Sequence, residues 1–433
     1  MILKLTRIAR VVAFLLSPWL ACGANYEPSW AGIAPLRTIT LAPRTGAGAE
    51  ANGAALLKAA AALQPGDRLV IAAGTYSVVP LWDLRASGTA EAPIWIEAAK
   101  DAQVVVTRPN AKQNVLNIGQ GGPVQFLCVR GIEFTGGGHG VRLGQCHQVW
   151  IDRCHIHHND GVCLSANSGN TSHLYLTRNH IHHGGGTAEG MYLGSHDGRK
   201  VMSESVIALN HVHDCRGSQG DGIEVKQGSW GNLIAENHIH DCNYPCLTIC
   251  GTGGKAPNII ERNLCYNSGD SVIQVQGEAV VRNNVFINGR NGGIASKDHE
   301  GRTLNLQIIH NTVINRGHAF RANSWNARTG LVLANNILYS QAGEAVHFVN
   351  GSAGVLIAGN VILGGRPRNG CVPGRGLEDF ADANWDATRH DVTPMPGAPF
   401  EHADARYLTP EDFHGRPRQG RKFSGAIGDR RRP

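Results

Sequence analysis

Residues 220–241 read GDGIEVKQGSWGNLIAENHIHD. Ile223 and Val225 alternate with Glu224 and Lys226, the period-two pattern of a strand with one buried face. A Gly/Ser turn leads to a second short apolar run at Leu233-Ile234, and Asn237-His238-Ile239-His240 closes the unit. Relatives of this unit recur on both sides. Aligned on one turn position they give Ile132, Cys154, Asn179, Asn210, Asn237, Asn263, Asn283, Asn311, Asn335 and Asn360, at intervals of roughly 20–30 residues, one coil of a solenoid. Asparagine suits such a turn because its amide can bond the backbone of its own coil and of the next.

Two residues beyond each turn position comes an apolar residue predicted to point inward: Ile156, Ile181, Val212, Ile239, Cys265, Val285, Val313 and Ile337. The residues on either side point outward. They form one column of His155, His180, His211 and His238, and a second of His157, His182, His213, His240, Tyr266 and Phe286. These histidines read either as metal ligands or sugar platforms, or as side chains that stack because the coil repeats. No Cys, Asp or Glu shell at compact ligand spacing accompanies them, which favours stacking. Glycine-rich turns then lead to another strand in each coil, such as Met191-Tyr192-Leu193, Ile223-Glu224-Val225 and Val272-Ile273-Gln274-Val275. Strict alternation excludes an amphipathic helix, and the short period disfavours a propeller.

The chain has 433 residues, 55 of them glycine, and a formal net charge of +6. Much of that charge sits at the ends. Lys4, Arg7 and Arg10 precede the apolar run 11–16, and the tail 416–433 is rich in arginine. The remaining body is slightly acidic, with no basic face for nucleic acid. Residues 1–23 read as a signal peptide, too short for a membrane span, with lipid attachment at Cys22 as an alternative outcome. Export to the periplasm or the extracellular space permits disulfides, and Cys215 and Cys242 share a position on neighbouring coils. Cys242, Cys246 and Cys250 carry only a weak zinc-like spacing.

Residues 24–125 read as an N-terminal cap, with a helix-compatible stretch at 51–63, followed by the first rungs. Residues 126–365 form the central rungs, and 366–433 a covering arm with a basic tail. An exposed solenoid end needs a cap, because its open edge would otherwise pair with another chain.

Several segments together resemble the secreted right-handed parallel β-helix proteins of the pectate lyase-like superfamily. Gln64-Pro65-Gly66-Asp67, Gly74-Thr75-Tyr76, Gly88-Thr89 and Ala92-Pro93-Ile94 are similar to the opening segment of the chondroitinase B and alginate lyase type. The asparagine ladder and the closing Asp412-Phe413-His414-Gly415-Arg416 and Gly425-Ala426 fit the superfamily generally. The resemblance implies an all-β, right-handed parallel β-helix (β-solenoid) of about ten or more rungs, with an N-terminal cap helix and an irregular C-terminal arm. It further implies action on a polysaccharide. In calcium-dependent lyases of that group, carboxylates of adjacent rungs hold Ca2+ against a uronate, and a Lys or Arg removes the C5 proton. Asp221-Gly222-Ile223-Glu224 resembles the acidic Asp-Gly-x-Asp element of some pectate lyases, with Glu in place of the second Asp.

The outward face of the second strand supplies the candidates. One column runs Cys163, Tyr192, Glu224, Thr248, Gln274, Ala295, Arg321; the next runs Ser165, Gly194, Lys226, Cys250, Gln276, Lys297, Asn323. Asp160, Glu189 and Asp221 share a corner column. Glu189, Asp221 and Glu224 are the expected cation ligands, for Ca2+ if any metal is bound. Lys226 is the leading candidate base, with Lys297 and Arg321 as the alternative base and carboxylate-binding pair, three to four rungs away, and Tyr192 as a proton donor or sugar platform. The insert around His196 and Arg199, together with His299 and Tyr244, is expected to contact substrate. The expected substrate is an acidic polysaccharide or oligosaccharide, and the expected protein a monomer. β-Elimination by a polysaccharide lyase is the first reading. A glycoside hydrolase using two of the carboxylates and a non-catalytic glycan-binding surface protein are the alternatives.

Overall fold

The structure is a computed structural model, and it describes residues 26–428. The signal-peptide and lipid-anchor expectations fall on residues outside that range. The described chain winds into a parallel coil of about thirteen turns with three long sheets, of 15, 11 and 13 strands. Pairing is parallel throughout the three sheets, and it starts at Arg37–Leu41 against Asp67–Ile71, well before the asparagine repeat becomes readable. No helix among the described residues is long and apolar enough to cross a membrane.

The helix Ala49–Ala61 closes the N-terminal end, burying Leu56 and Ala60. Gly53 permits that closure, since a Cβ there would lie 1.9 Å from the Ser77 carbonyl oxygen. Inside the coil, apolar residues of successive turns stack into one continuous core that includes Ile181, Ile223, Val225, Ile239 and Phe286. Truncating one such fully buried residue to alanine costs about 2–5 kcal/mol.

The turn between the first and third sheets decides the register. Its first residue is left-handed in coil after coil: Arg153, Arg178, Leu209, Glu236, Arg262, Asn283, His310 and Asn335 all have φ between 52° and 60°. The next residue forms the ladder, which is Asn179, Asn210, Asn237, Asn263, Asn284, Asn311, Asn336 and Asn360. Each Nδ2 from Asn179 to Asn336 donates to the next Oδ1 at 2.9–3.0 Å. Each Oδ1 also accepts the backbone N–H of the preceding coil, as Asn237 does from Asn210 at 3.1 Å. The left-handed position costs a non-glycine residue about 1–2 kcal/mol, and the buried amide bonds offset that cost.

Two expected ladder members are therefore corrected. Asn283 and Asn335 occupy the left-handed position, while Asn284 and Asn336 carry the ladder. Both pairs read Asn-Asn, and asparagine suits either position. The slip turns two side chains around. Phe286 and Leu338 face the core, in register with Cys265 and Val313. Val285 and Ile337, expected inside, face outward into a second apolar cluster with Ile314, Tyr339, Phe380, Phe400 and Phe413. That cluster is the contact of the C-terminal arm, which includes an antiparallel hairpin of Phe380–Ala383 with His390–Pro394. Arg418 pins the arm by donating to Asn283 Oδ1 at 2.9 Å and to the carbonyls of Gly425 and Ala426.

The ten cysteines among the described residues are free thiols, nine of them buried. Cys215 and Cys242 sit on neighbouring coils, with no disulfide between them. Cys163, expected in the outward column, is part of the core.

Candidate functional site

The strand Ile223–Val225 lies in the 11-stranded sheet, between Met191–Leu193 and Leu247–Ile249. Gly222 sets its start: a Cβ there would lie 2.4 Å from the Ile239 side chain and 2.5 Å from the Cys246 carbonyl oxygen. Only glycine lets the corner approach that closely. Ile223 and Val225 then point into the core, which sends Glu224 outward. Strand register gives the outward column as Arg142, Ser165, Tyr192, Glu224, Thr248, Gln274, Ala295, Arg321. Ser165 thus takes the place expected for Cys163. At the corner Gly190 N–H donates to the Asp221 carbonyl, which puts Glu189 beside Asp221. The same register places Val162 in that column, where Asp160 was expected.

Glu224 and Lys226 are an ion pair at 2.8 Å, and their side chains are only 8% and 6% exposed. Glu300 is the second carboxylate at Lys226, with Oε1 3.5 Å from Nζ. It also lies 2.7 Å from His196 Nδ1 and 3.8 Å from His299 Nε2. The loop after the strand Gly292–Ser296 therefore folds back along the coil to the Lys226 rung. Its counterpart, the insert after Met191–Leu193, is a tight turn in which Ser195 N–H donates to the Lys200 carbonyl and Ser195 Oγ donates to Asp197. The two loops meet over Lys226. The Lys297 loop was expected to be three rungs too far away for one chemical site, and this return removes that separation for His299 and Glu300.

Arg321 stays one rung beyond Ala295 on an exposed part of the face. Arg199 is exposed and paired with Asp197. Tyr244 is exposed at the corner preceding Leu247–Ile249, its N–H donating to the Gly220 carbonyl. The structure thus gathers Tyr192, His196, Glu224, Lys226, His299 and Glu300, with Asp221 and Glu189 at one end. It leaves Arg199, Tyr244 and Arg321 at the margins. Thr248, Cys250, Gln274, Gln276, Lys297 and His299 line a shallow depression beside the cluster. Glu300 is absent from the sequence-derived candidates, and no local signal announces its return to Lys226.

The electrostatics separate the roles. Burial raises the Asp221 pKa well above the carboxylate range, and Glu224 and Glu189 add to the rise while Thr248, donating at 2.6 Å, opposes it. Burial also raises Glu224, against the opposing Lys226 ammonium. For Lys226, burial alone would favour the neutral amine, but the Glu224 carboxylate outweighs it and the pKa ends above the ordinary lysine value. Lys226 is thus held as an ammonium, which argues against its use as a base at neutral pH. Burial lowers His299, aided by Lys226, Lys297 and His196 against Glu300, so its imidazole is neutral at neutral pH. Tyr192 lies beneath the Lys226 ammonium, 5.4 Å from Nζ to the ring centre. Burial pushes its pKa up to about 12, with Lys226 opposing.

The expected calcium ligands do not converge. Among the described residues, the groups of three or more candidate ligand side chains with donor atoms within 4.8 Å of one another consist of histidines alone. Glu189 Oε2 and Glu224 Oε2 are buried without a hydrogen-bond partner, but Glu224 already has the Lys226 ammonium as its counter-ion. A shared calcium does not fit Glu189, Asp221 and Glu224 in this arrangement. The Cys242, Cys246 and Cys250 thiols form no such group either.

Against known proteins, a family model described as a right handed beta helix region matches residues 110–243 and 169–362. The chain belongs to this right-handed β-helix family. Among solved structures, this β-helix protein is similar to XylC in complex with xylose, at 10% identity and a TM-score of 0.59, covering 86% of this chain and 94% of that one. It is also similar to the PL6 family alginate lyase AlyGC, at 15% identity and a TM-score of 0.53, covering 87% of this chain and 60% of that one. At such identities the likeness is one of fold. No curated protein sequence matches the chain.

Proposed function

We propose that this β-helix protein is an exported polysaccharide lyase that cleaves a uronate-containing glycan by β-elimination on the outer face of its 11-stranded sheet. The observation that carries the reading is the seat of the Glu300 carboxylate, among one ammonium and two imidazoles. Those groups are arranged to hold a carboxylate. The loop that supplies Glu300 is exposed, whereas Lys226 is buried beneath it. In this reading a substrate carboxylate displaces Glu300 and takes the same partners.

Elimination breaks the C5–H and C4–O4 bonds and forms a C4=C5 double bond, and the leaving oxygen departs with a proton. The Lys226 ammonium offsets the charge that develops as the C5 proton leaves. The neutral His299 imidazole takes that proton. Tyr192 keeps its phenolic proton at neutral pH and gives it to the leaving oxygen. Lys297 and Arg321, farther along the face, hold carboxylates of neighbouring sugars, and Arg199 and Tyr244 contact the chain at the rim. No step runs through calcium.

The test is a panel of alginate, pectate and glycosaminoglycan substrates assayed for unsaturated product by ultraviolet absorbance. Chelator is present in half the reactions. Unsaturated product formed by the wild type in both halves and lost in Lys226→Met supports the reading. Absence of unsaturated product from every uronate polymer sinks it.

One observation favours a second reading. Burial and the neighbouring Glu224 raise the pKa of the Asp221 carboxyl, the direction that suits the acid of a paired-carboxylate hydrolase. New reducing ends without unsaturation, abolished by Asp221→Asn, would select it.

A further inference from the structure

The 13-stranded sheet presents a second cluster, on a different face of the coil from the site above. The strands His155–His157, His180–His182, His211–His213 and His238–Cys242 lie in register. Each sends two imidazoles outward, and the rings of each column stack at 4.7–5.1 Å between centres. Stacking alone accounts for the columns, but not for how they are tied to each other. His155 Nε2 lies 2.8 Å from His182 Nε2, His180 Nε2 lies 2.7 Å from His213 Nε2, and His211 Nε2 lies 3.0 Å from His240 Nε2. Each contact needs one N–H and one bare lone pair, so a single shared proton holds each pair of rings together.

Two carboxylates fix which nitrogen is bare. Asp214 accepts from His213 Nδ1 at 2.8 Å, and Asp241 from His240 Nδ1 at 2.7 Å. Both aspartates sit at a left-handed turn position just after the strand, with φ of 51° and 55°, which brings each carboxylate onto the ring before it. With the proton on Nδ1, each Nε2 aims a lone pair into the space between the columns. A carboxylate behind an imidazole in this way orients metal-binding histidines and raises their basicity. It is the acidic shell that the sequence spacing does not reveal, because it lies one residue from its histidine and not at a ligand interval.

We propose that this ladder is a binding site for divalent transition-metal ions, of the class of Zn2+ and Cu2+. Three trios have donor atoms within 4.8 Å of one another: His155, His157 and His182; His180, His211 and His213; and His211, His238 and His240. A Zn–N bond is about 2.0–2.1 Å, so two tetrahedral nitrogen ligands stand roughly 3.3 Å apart. The cross-column contacts at 2.7–3.0 Å need open by only a few tenths of an ångström as the ion replaces the shared proton. Neutral imidazoles without a carboxylate oxygen in the trio select borderline metals over calcium or magnesium. His211 belongs to two of the trios, so the ladder fills with two ions at once. Three protein ligands leave a fourth position to water or an exogenous ligand.

The experiment uses the full exported chain, stripped with chelator, loaded with ZnCl2 and gel-filtered, with zinc counted per chain by atomic emission. Two equivalents are expected for the wild type. His155→Ala/His182→Ala and His211→Ala/His240→Ala are each expected to lose one. Asp214→Asn/Asp241→Asn, which leaves every ligand of both trios that share His211 in place, is expected to weaken one equivalent about 10–100-fold. No retained zinc in the wild type, or two equivalents in both double variants, overturns the proposal. Should the double variants fail to fold, the Cu2+-loaded wild type decides. Electron paramagnetic resonance showing hyperfine structure from several imidazole nitrogens supports the ladder, and an all-oxygen signal overturns it.

Discussion

His196 Nδ1 lies 2.7 Å from Glu300 Oε1. The two residues belong to loops that leave the 11-stranded sheet four rungs apart, which is roughly 19 Å along the coil at about 4.8 Å per rung. One loop must therefore run back over the face for them to touch, and the side chain they enclose is the Lys226 ammonium. This closure turns a plain row of outward side chains into a site with a buried charge beneath two exposed loops.

Replacing Lys226 by methionine tests that charge in two ways. Turnover on the cognate glycan is expected to fall by about 10²–10³-fold, the scale of removing one preorganised donor. Stability is expected to fall by roughly 3–5 kcal/mol at pH 8, because Glu224 is left buried without its counter-ion. Glu224 already has a raised pKa and takes up a proton as the pH falls, so the loss shrinks toward pH 5. Urea unfolding at both pH values reads the difference. An equal loss at both would mean that Glu224 is not left charged.

As the proposed base, His299 is expected to set the acid limb of the rate profile. Its pKa is lowered, so the imidazole stays neutral at pH 7, and kcat/KM falls only once the pH drops below the ordinary histidine value of about 6.5. His299→Gln is expected to cut kcat by about 10²–10⁴-fold and to abolish that limb. A limb that persists unchanged in the variant assigns the base elsewhere.

The two asparagines of the pair 283–284 have separable effects. Asn284→Ala removes an acceptor for the Asn263 backbone N–H and a donor to the Ile260 carbonyl, both buried. Each group left unpaired costs about 1–3 kcal/mol, and a urea midpoint will register the loss. Asn283→Ala keeps the ladder. It removes the acceptor of Arg418 and Thr409 and the donor to Glu411, so limited proteolysis is expected to cut the arm first, with the coil intact.

His310 makes stability depend on acid. It is fully buried, Asn335 Nδ2 donates to its Nε2 at 3.1 Å, and burial, followed by the nearby Arg418, holds its pKa well below the ordinary value. The unfolded chain binds a proton at this residue below about pH 6.5 and the folded chain does not. Its contribution is therefore fully present above about 6.5 and is lost as the pH falls below it, by up to about 1.4 kcal/mol per pH unit. His310→Asn, which suits the left-handed turn, is expected to flatten the fall in Tm relative to wild type over that window. Parallel Tm curves for the two proteins would show that His310 takes no part.

The coil was legible because its causes are local and repeat. Alternation within each short strand places Ile223 and Val225 inside and Glu224 outside, and the turn asparagine returns once per coil. Tyr192, Glu224 and Lys226 could be placed together for the same reason, since adjacent rungs keep a fixed register. Legibility failed where one residue type suits two neighbouring positions. Asn283 and Asn284 are both compatible with the turn, and only the bonds each makes, to Arg418 or to the ladder, tell them apart.

The amino-acid sequence by itself thus determined the coil-by-coil repeat and the outward row that includes Glu224 and Lys226, and its resemblance to a known superfamily implied the right hand. Only the tertiary structure decided which distant groups join that row. The return of Glu300 to Lys226 and the covering of Val285 and Ile337 by the arm depend on loop directions that no repeat encodes. So does the protonation of Lys226, because its pKa is set by burial and by carboxylates that only the folded chain brings within reach.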